Sequence, residues 1–121
     1  MPNTKTPINN TPHNETHLKK AIYKALIPFD CFRRKLSSPF RAGILDLIIC
    51  YQGRTVWIEN KILPNQLSLL QKNEIKEIKR AGGLAYGIFA ESDFSAFYLY
   101  KDEFNIVEYG NLTDLLKAIL L

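Results

Sequence analysis

The chain has 121 residues, an apolar fraction of 46%, a charged fraction of 23% and a net charge of +4, which suits one globular domain and is too short for two. No apolar run reaches the length needed to span a bilayer, and Met1 to Asn14 lack the apolar core of a signal peptide, so a cytoplasmic protein is expected. The positive balance suits a polyanionic partner without identifying one.

Residues 1–13 are rich in Pro, Asn and Thr, with Ile8 as their single aliphatic side chain. They bury too little to offset the entropy of ordering, so a flexible tail is expected, followed by one domain over 14–121. From Glu15 the pattern changes: Leu18, Ala21, Ile22, Ala25 and Leu26 recur at helical spacing, Asn14 is a suitable N-cap and Pro28 stops the run. On this helix Glu15 lies at the border of the apolar stripe, where it can face the rest of the fold. The stretch from Phe29 to Arg41 is basic and aromatic and contains Ser37-Ser38-Pro39, which favours irregular structure or a short edge strand.

Gly43 precedes Ile44 to Tyr51, an apolar run broken only by Asp46, which reads as a strand covered on both faces. Its hairpin partner is Thr55 to Lys61, β-branched and aromatic until Glu59. After Pro64 a second helix is expected over Leu67 to Ala81, opened by the capping box Ser68-x-x-Gln71 and closed by Gly82-Gly83. Leu84 to Ala90, Phe94 to Tyr100 and Ile106 to Tyr109 read as strands, and Leu112, Leu115, Leu116, Ile119 and Leu120 trace an amphipathic last helix. The order implies an α/β fold with a mixed sheet flanked by helices. Cys31 and Cys50 form no metal-ligand spacing and read as reduced thiols.

The hairpin carries the chemistry. With a turn at Gln52-Gly53, Asp46 and Glu59 fall at equal distances from it and oppose each other, and Lys61 follows Glu59 by one strand period. Two carboxylates held about 5 Å apart repel by about 3 kcal/mol at an effective dielectric near 20. A divalent cation reverses that sign, because hard ions such as magnesium are bound through carboxylate oxygens.

Gly43-Ile44-Leu45-Asp46, Ile58-Glu59-Asn60-Lys61, Leu67-Ser68-Leu69-Leu70-Gln71 and Ala81-Gly82-Gly83 together resemble the virus-type replication-repair nuclease (VRR-NUC) family of the PD-(D/E)XK superfamily, across roughly residues 15–90. The resemblance implies a restriction-endonuclease-like fold and a Mg2+- or Mn2+-dependent DNA endonuclease. Asp46 and Glu59 would then bind the metal, Asn60 could add its backbone carbonyl and Glu15 could complete the set. Lys61 would be the catalytic lysine and Gln71 would support the site. Stand-alone members act as symmetric dimers on four-way (Holliday) junctions, which implies a homodimer and branched DNA as partner. Leu45 stands where the family usually has Pro, and Asn60 is more polar than usual at the middle of its motif.

Each residue also has a plainer reading. Glu59 and Lys61 could be a solvated strand end with a local ion pair, Asp46 an acid satisfied by backbone donors, Gln71 a helix cap and Glu15 a favourable charge at a helix start. His13 and His17 flank Glu15 at zinc-clip spacing but lack a third and fourth ligand nearby. For DNA phosphates the best candidates are Arg33, Arg34, Lys35 and Arg41, which lead into the Asp46 strand with few acids among them, whereas Lys72, Lys76, Lys79 and Arg80 are interleaved with Glu74 and Glu77. Two other functions remain open: a nucleic-acid-binding module of this fold that does not cut, and a protein-interaction domain.

Overall fold

The computed structural model describes residues 12–37 and 43–121. Its elements are α1 (Glu15–Leu26), a 3-10 turn (Ile27–Phe29), β1 (Phe32–Lys35), β2 (Leu47–Tyr51), β3 (Arg54–Ile62), α2 (Leu69–Arg80), β4 (Leu84–Ala90), β5 (Phe97–Asp102), β6 (Asn105–Tyr109) and α3 (Leu112–Leu120). The strands form one sheet in chain order, antiparallel throughout except for β3 and β4, which run parallel. That exception follows from α2, among the described residues the only helix between two strands of the sheet, which supplies the crossover that parallel neighbours need. The fold is the α/β mixed sheet flanked by helices that the element order implies.

Asn14 accepts the His17 N–H at 2.9 Å and caps α1, which ends just before Pro28. Leu18, Ile22 and Leu26 point into a core shared with Leu47, Ile49, Val56 and Ile58 and with the α3 stripe of Leu112, Leu115, Leu116, Ile119 and Leu120. Arg54 extends from β3 to donate to the carbonyl of Ile119 near the end of α3 at 3.2 Å, satisfying one of the carbonyls a helix terminus leaves open. The stripe of α3 is therefore buried against the sheet and offers no surface to a second copy. On the opposite face α2 lies over β4, and Leu45, Leu67, Ile75, Ala85, Phe89 and Tyr100 form a smaller core.

Two strand expectations shift. β2 begins at Leu47 rather than Ile44, after Gly43 turns with φ +85°, and Ile48 and Cys50 stay half-buried, so its second face is only partly covered. β5 begins at Phe97 because Phe94 sits in a turn with φ +60°. Cys31 and Cys50 are free thiols.

Of the expected tail, residues 1–11 lie outside the described residues. His13 is held: its N–H donates to the Ser92 carbonyl at 2.7 Å and its ring stacks on Phe94 with centroids 3.8 Å apart. Aromatic stacking and one backbone bond fix this position, which composition alone assigns to the tail. Among the described residues, no helix is long and apolar enough to cross a membrane.

Candidate active site

The register of the central hairpin decides what meets what. Tyr51 pairs with Arg54 and Leu47 with Ile58, and the two-residue turn is made by Gln52 at φ +47° and Gly53 at φ +80°, the double left-handed geometry of a type I′ hairpin. Extending that ladder by one residue brings Asp46 opposite Glu59. Asp46 itself stands one residue before β2 begins, and its Oδ2 accepts the backbone N–H of Asn60 at 3.4 Å. It is therefore tied to β3 by its side chain rather than by a strand ladder.

Glu59 is only 2% exposed, and its Oε1 has no hydrogen-bond partner. Its Oε2 lies 3.8 Å from the Lys61 Nζ. Burial, followed by the charge and hydrogen bond of Asp46, pushes the Glu59 carboxyl up from 4.5 to about 8, with Lys61 opposing and Glu15 adding a little. A buried acid with an unpaired oxygen beside a second acid is a costly arrangement in water alone. Its chemistry fits a hard cation, which would meet the open oxygen and neutralise both charges.

Asn60 is fully buried, and its side chain points away from the acids: Nδ2 donates to the Glu15 carbonyl at 3.3 Å. Its backbone N–H faces Asp46, and a strand residue directs its N–H and C=O to the same side, so its carbonyl faces the acids too. Glu15 stands at the margin, its Oε2 accepting from Asn65 Nδ2 at 3.4 Å. Among the described residues, no three His, Cys, Asp or Glu side chains close into a metal cluster. The available donor set is thus two carboxylates and a carbonyl, with Glu15 nearby.

The structure places Gln71 in the cap of α2. Its Oε1 accepts the Ser68 N–H at 2.9 Å while its own N–H donates to the Ser68 hydroxyl at 3.1 Å. The helix start still bears on the site, because a Cβ added at Gly43 would meet the Leu70 Cβ at 2.8 Å. The turn leading into Asp46 is therefore packed directly on the first turn of α2.

The basic candidates separate by face. Arg34 is paired with Ile48, which puts it on the sheet face of Glu59, and it is exposed with its guanidinium 4.2 Å from the Phe32 ring centroid. Arg33 and Lys35, paired with Ile49 and Leu47, project to the other face. Arg33 is half-buried over the Tyr23 ring, whereas Lys35 is exposed. Arg41 lies outside the described residues. His13 and His17 meet edge to face, and His17 Nδ1 accepts the Asn14 N–H at 3.2 Å, so the pair acts as packing and capping.

Two residues not singled out in the sequence enter the site. Asn65 holds Glu15, and Lys19 lies with its Nζ 3.5 Å from Asp46 Oδ1. The sequence carried a signal for Lys19, which follows Glu15 by one helical turn and shares its face.

No family model matches the sequence, and no curated protein is significantly similar to it. Solved structures do match the fold. A VRR-NUC domain superimposes with a TM-score of 0.58 at 20% identity, covering 65% of this chain and 86% of that one. Hjc, a Holliday junction resolvase of the archaeal hyperthermophile Archaeoglobus fulgidus, superimposes with a TM-score of 0.59 at 13% identity, covering 83% of this chain and 98% of that one. The chain therefore shares the fold of these two structures, a VRR-NUC-like α/β mixed sheet flanked by helices.

Proposed function

We propose that this protein is a Mg2+- or Mn2+-dependent endonuclease that hydrolyses phosphodiester bonds in branched DNA such as four-way junctions. The observation that carries the reading is the buried Glu59 carboxylate, unpaired at Oε1, beside Asp46 and with Lys61 3.8 Å away. The nuclease fold gives that trio its context.

Asp46, Glu59 and the Asn60 carbonyl would hold the ion, with Glu15 at the edge of the set. Bound there, the ion supplies Lewis-acid stabilisation of the phosphoryl oxygens and a more acidic water. Lys61 holds a fixed ammonium group next to Glu59, where it steadies the negative charge that grows on the phosphate and orients the attacking water. Gln71 acts at one remove, by fixing the first turn of α2 on which the Gly43 turn rests. Arg34, and Lys35 from the other side of the same edge strand, contact phosphates without reading sequence. Selectivity then falls on DNA shape.

The resolvase likeness favours a homodimer, since a four-way junction offers two equivalent strands to two equivalent sites. The surface that supports it lies beside α2, on the part of that helix's own face of the sheet that it leaves uncovered. There, a groove of about 360 Å³ has Phe89, Tyr98, Tyr100 and Ile106 in its lining together with the Lys72–Glu103 ion pair, and Ile106 is 55% exposed.

The test is cleavage of linear, flap and four-way-junction DNA with manganese, with chelator, and with Asp46→Asn. Junction cleavage that needs manganese and drops by at least about a hundredfold in the variant supports the reading. Cleavage unaffected by chelator and by Asp46→Asn removes it, and retention of DNA without manganese uptake or cleavage points to a binding module of the same fold.

A further inference from the structure

The acids of the site face a difficulty whenever no cation is present. Asp46 and Glu59 stand together, one half-buried and the other almost wholly buried, so that placing negative charge on both at once is costly. Two lysines answer them one for one. Lys61, on the hairpin itself, faces Glu59, and Lys19, from α1, faces Asp46.

The position of Lys19 is set by several contacts that leave it few other choices. On α1 it sits four residues after Glu15, the spacing at which Glu and Lys ordinarily pair on a helix surface. Here the Glu15 carboxylate instead takes a hydrogen bond from Asn65, and the Glu15 carbonyl is bonded by the buried Asn60 side chain. These two bonds anchor the first turn of α1 to β3 and the segment after it. One turn later, the Lys19 ammonium reaches across to Asp46 Oδ1, while Asp46 Oδ2 is already engaged by the Asn60 N–H. Both oxygens of Asp46 therefore have a partner. The Lys19 and Asp46 side chains are 27% and 21% exposed, so the ammonium can withdraw into solvent without being stranded in the interior.

We propose that Lys19 is a positioning residue: a resident counter-ion that holds the Asp46 carboxylate in place in the cation-free protein and gives up Oδ1 when a divalent ion binds. The inference rests on the metal-dependent reading of the same site and adds to it a competitor built into α1. A cation arriving at Asp46 must displace or share this ammonium, so part of its binding energy goes into breaking the pair. Removing the charge of Lys19 while keeping its aliphatic stem should then tighten cation binding, the opposite of what loss of a ligand or of a structural prop would do.

The experiment is calorimetric titration of the purified protein with manganese, without DNA, comparing wild type, Lys19→Met and Lys19→Arg, together with thermal melting of each in chelator and in saturating manganese. A partly exposed ion pair sets the expected scale, with Lys19→Met binding manganese about three- to fivefold more tightly and Lys19→Arg close to wild type. Lys19→Met should also melt lower than wild type in chelator, and that gap should close in saturating manganese. Equal or weaker manganese affinity in Lys19→Met, or a melting deficit of the same size in both conditions, overturns the counter-ion role while leaving the nuclease reading intact. A wild-type protein that takes up no manganese overturns both.

Discussion

Glu59 concentrates the electrostatic tension of the molecule in one side chain. Its carboxyl is raised to about 8, chiefly by burial and then by Asp46, so the folded chain holds a proton that the unfolded chain would release near its ordinary value of 4.5. A raised folded value means that the associated stability is complete below pH 4.5 and is lost as the pH climbs through about 8. In chelator, the unfolding free energy obtained from urea titration should therefore fall between pH 5 and pH 8.5, by on the order of a few kcal/mol in total. Glu59→Gln, which keeps the shape and removes the titration, should flatten that dependence and abolish stabilisation by manganese. A steep slope that survives in Glu59→Gln would place the titrating group elsewhere. Asp102 moves the other way, held low by hydrogen bonds from Asn105 and Phe104 in the turn between β5 and β6.

At the scale of elements, the site depends on a contact between a turn and a helix start. Gly43 has φ +85° and no room for a Cβ against Leu70, so Gly43→Ala meets both backbone strain and a clash with a side chain whose own backbone is fixed in α2. The substitution should cost about 1–3 kcal/mol in chemical denaturation. Ser68→Ala removes the hydroxyl that caps α2 and should cost about 1 kcal/mol. The two changes bear on the same turn of helix around Leu70, so the double variant should depart from the sum of the singles, and strict additivity would show that the turn and the cap are independent. The same packing explains how Gln71 can matter to Asp46 while hydrogen-bonding only within its own helix cap.

For the whole molecule the decisive feature is how the two faces of the sheet are covered. α1 and α3 close one face with continuous apolar packing, while α2 covers β4 and leaves the β5 and β6 side of the other face open. Phe104 and Ile106, 92% and 55% exposed, lie at that open side. If a second copy occupies the groove, Ile106→Lys should convert a dimer to a monomer in analytical ultracentrifugation and lower junction cleavage more than binding of manganese. A wild-type protein that sediments as a monomer at all concentrations would leave the groove to some other use.

Much of this was legible in the residues themselves. Period-two and period-3.6 patterns located the three helices and the hairpin, the Gln52-Gly53 turn set the pairing of β2 with β3, and that register, extended one residue past the end of the ladder, brought Asp46 opposite Glu59. The cap at Ser68 and Gln71 was equally local. Other features depended on contacts between segments distant in the chain, which no local pattern encodes. The tertiary structure alone decided that Arg33 stacks on Tyr23 while Arg34 shares the face of the acids, and that His13 docks on Phe94. It alone brought Lys19 across from α1 to Asp46, a pairing that depends on how a helix seats against a sheet.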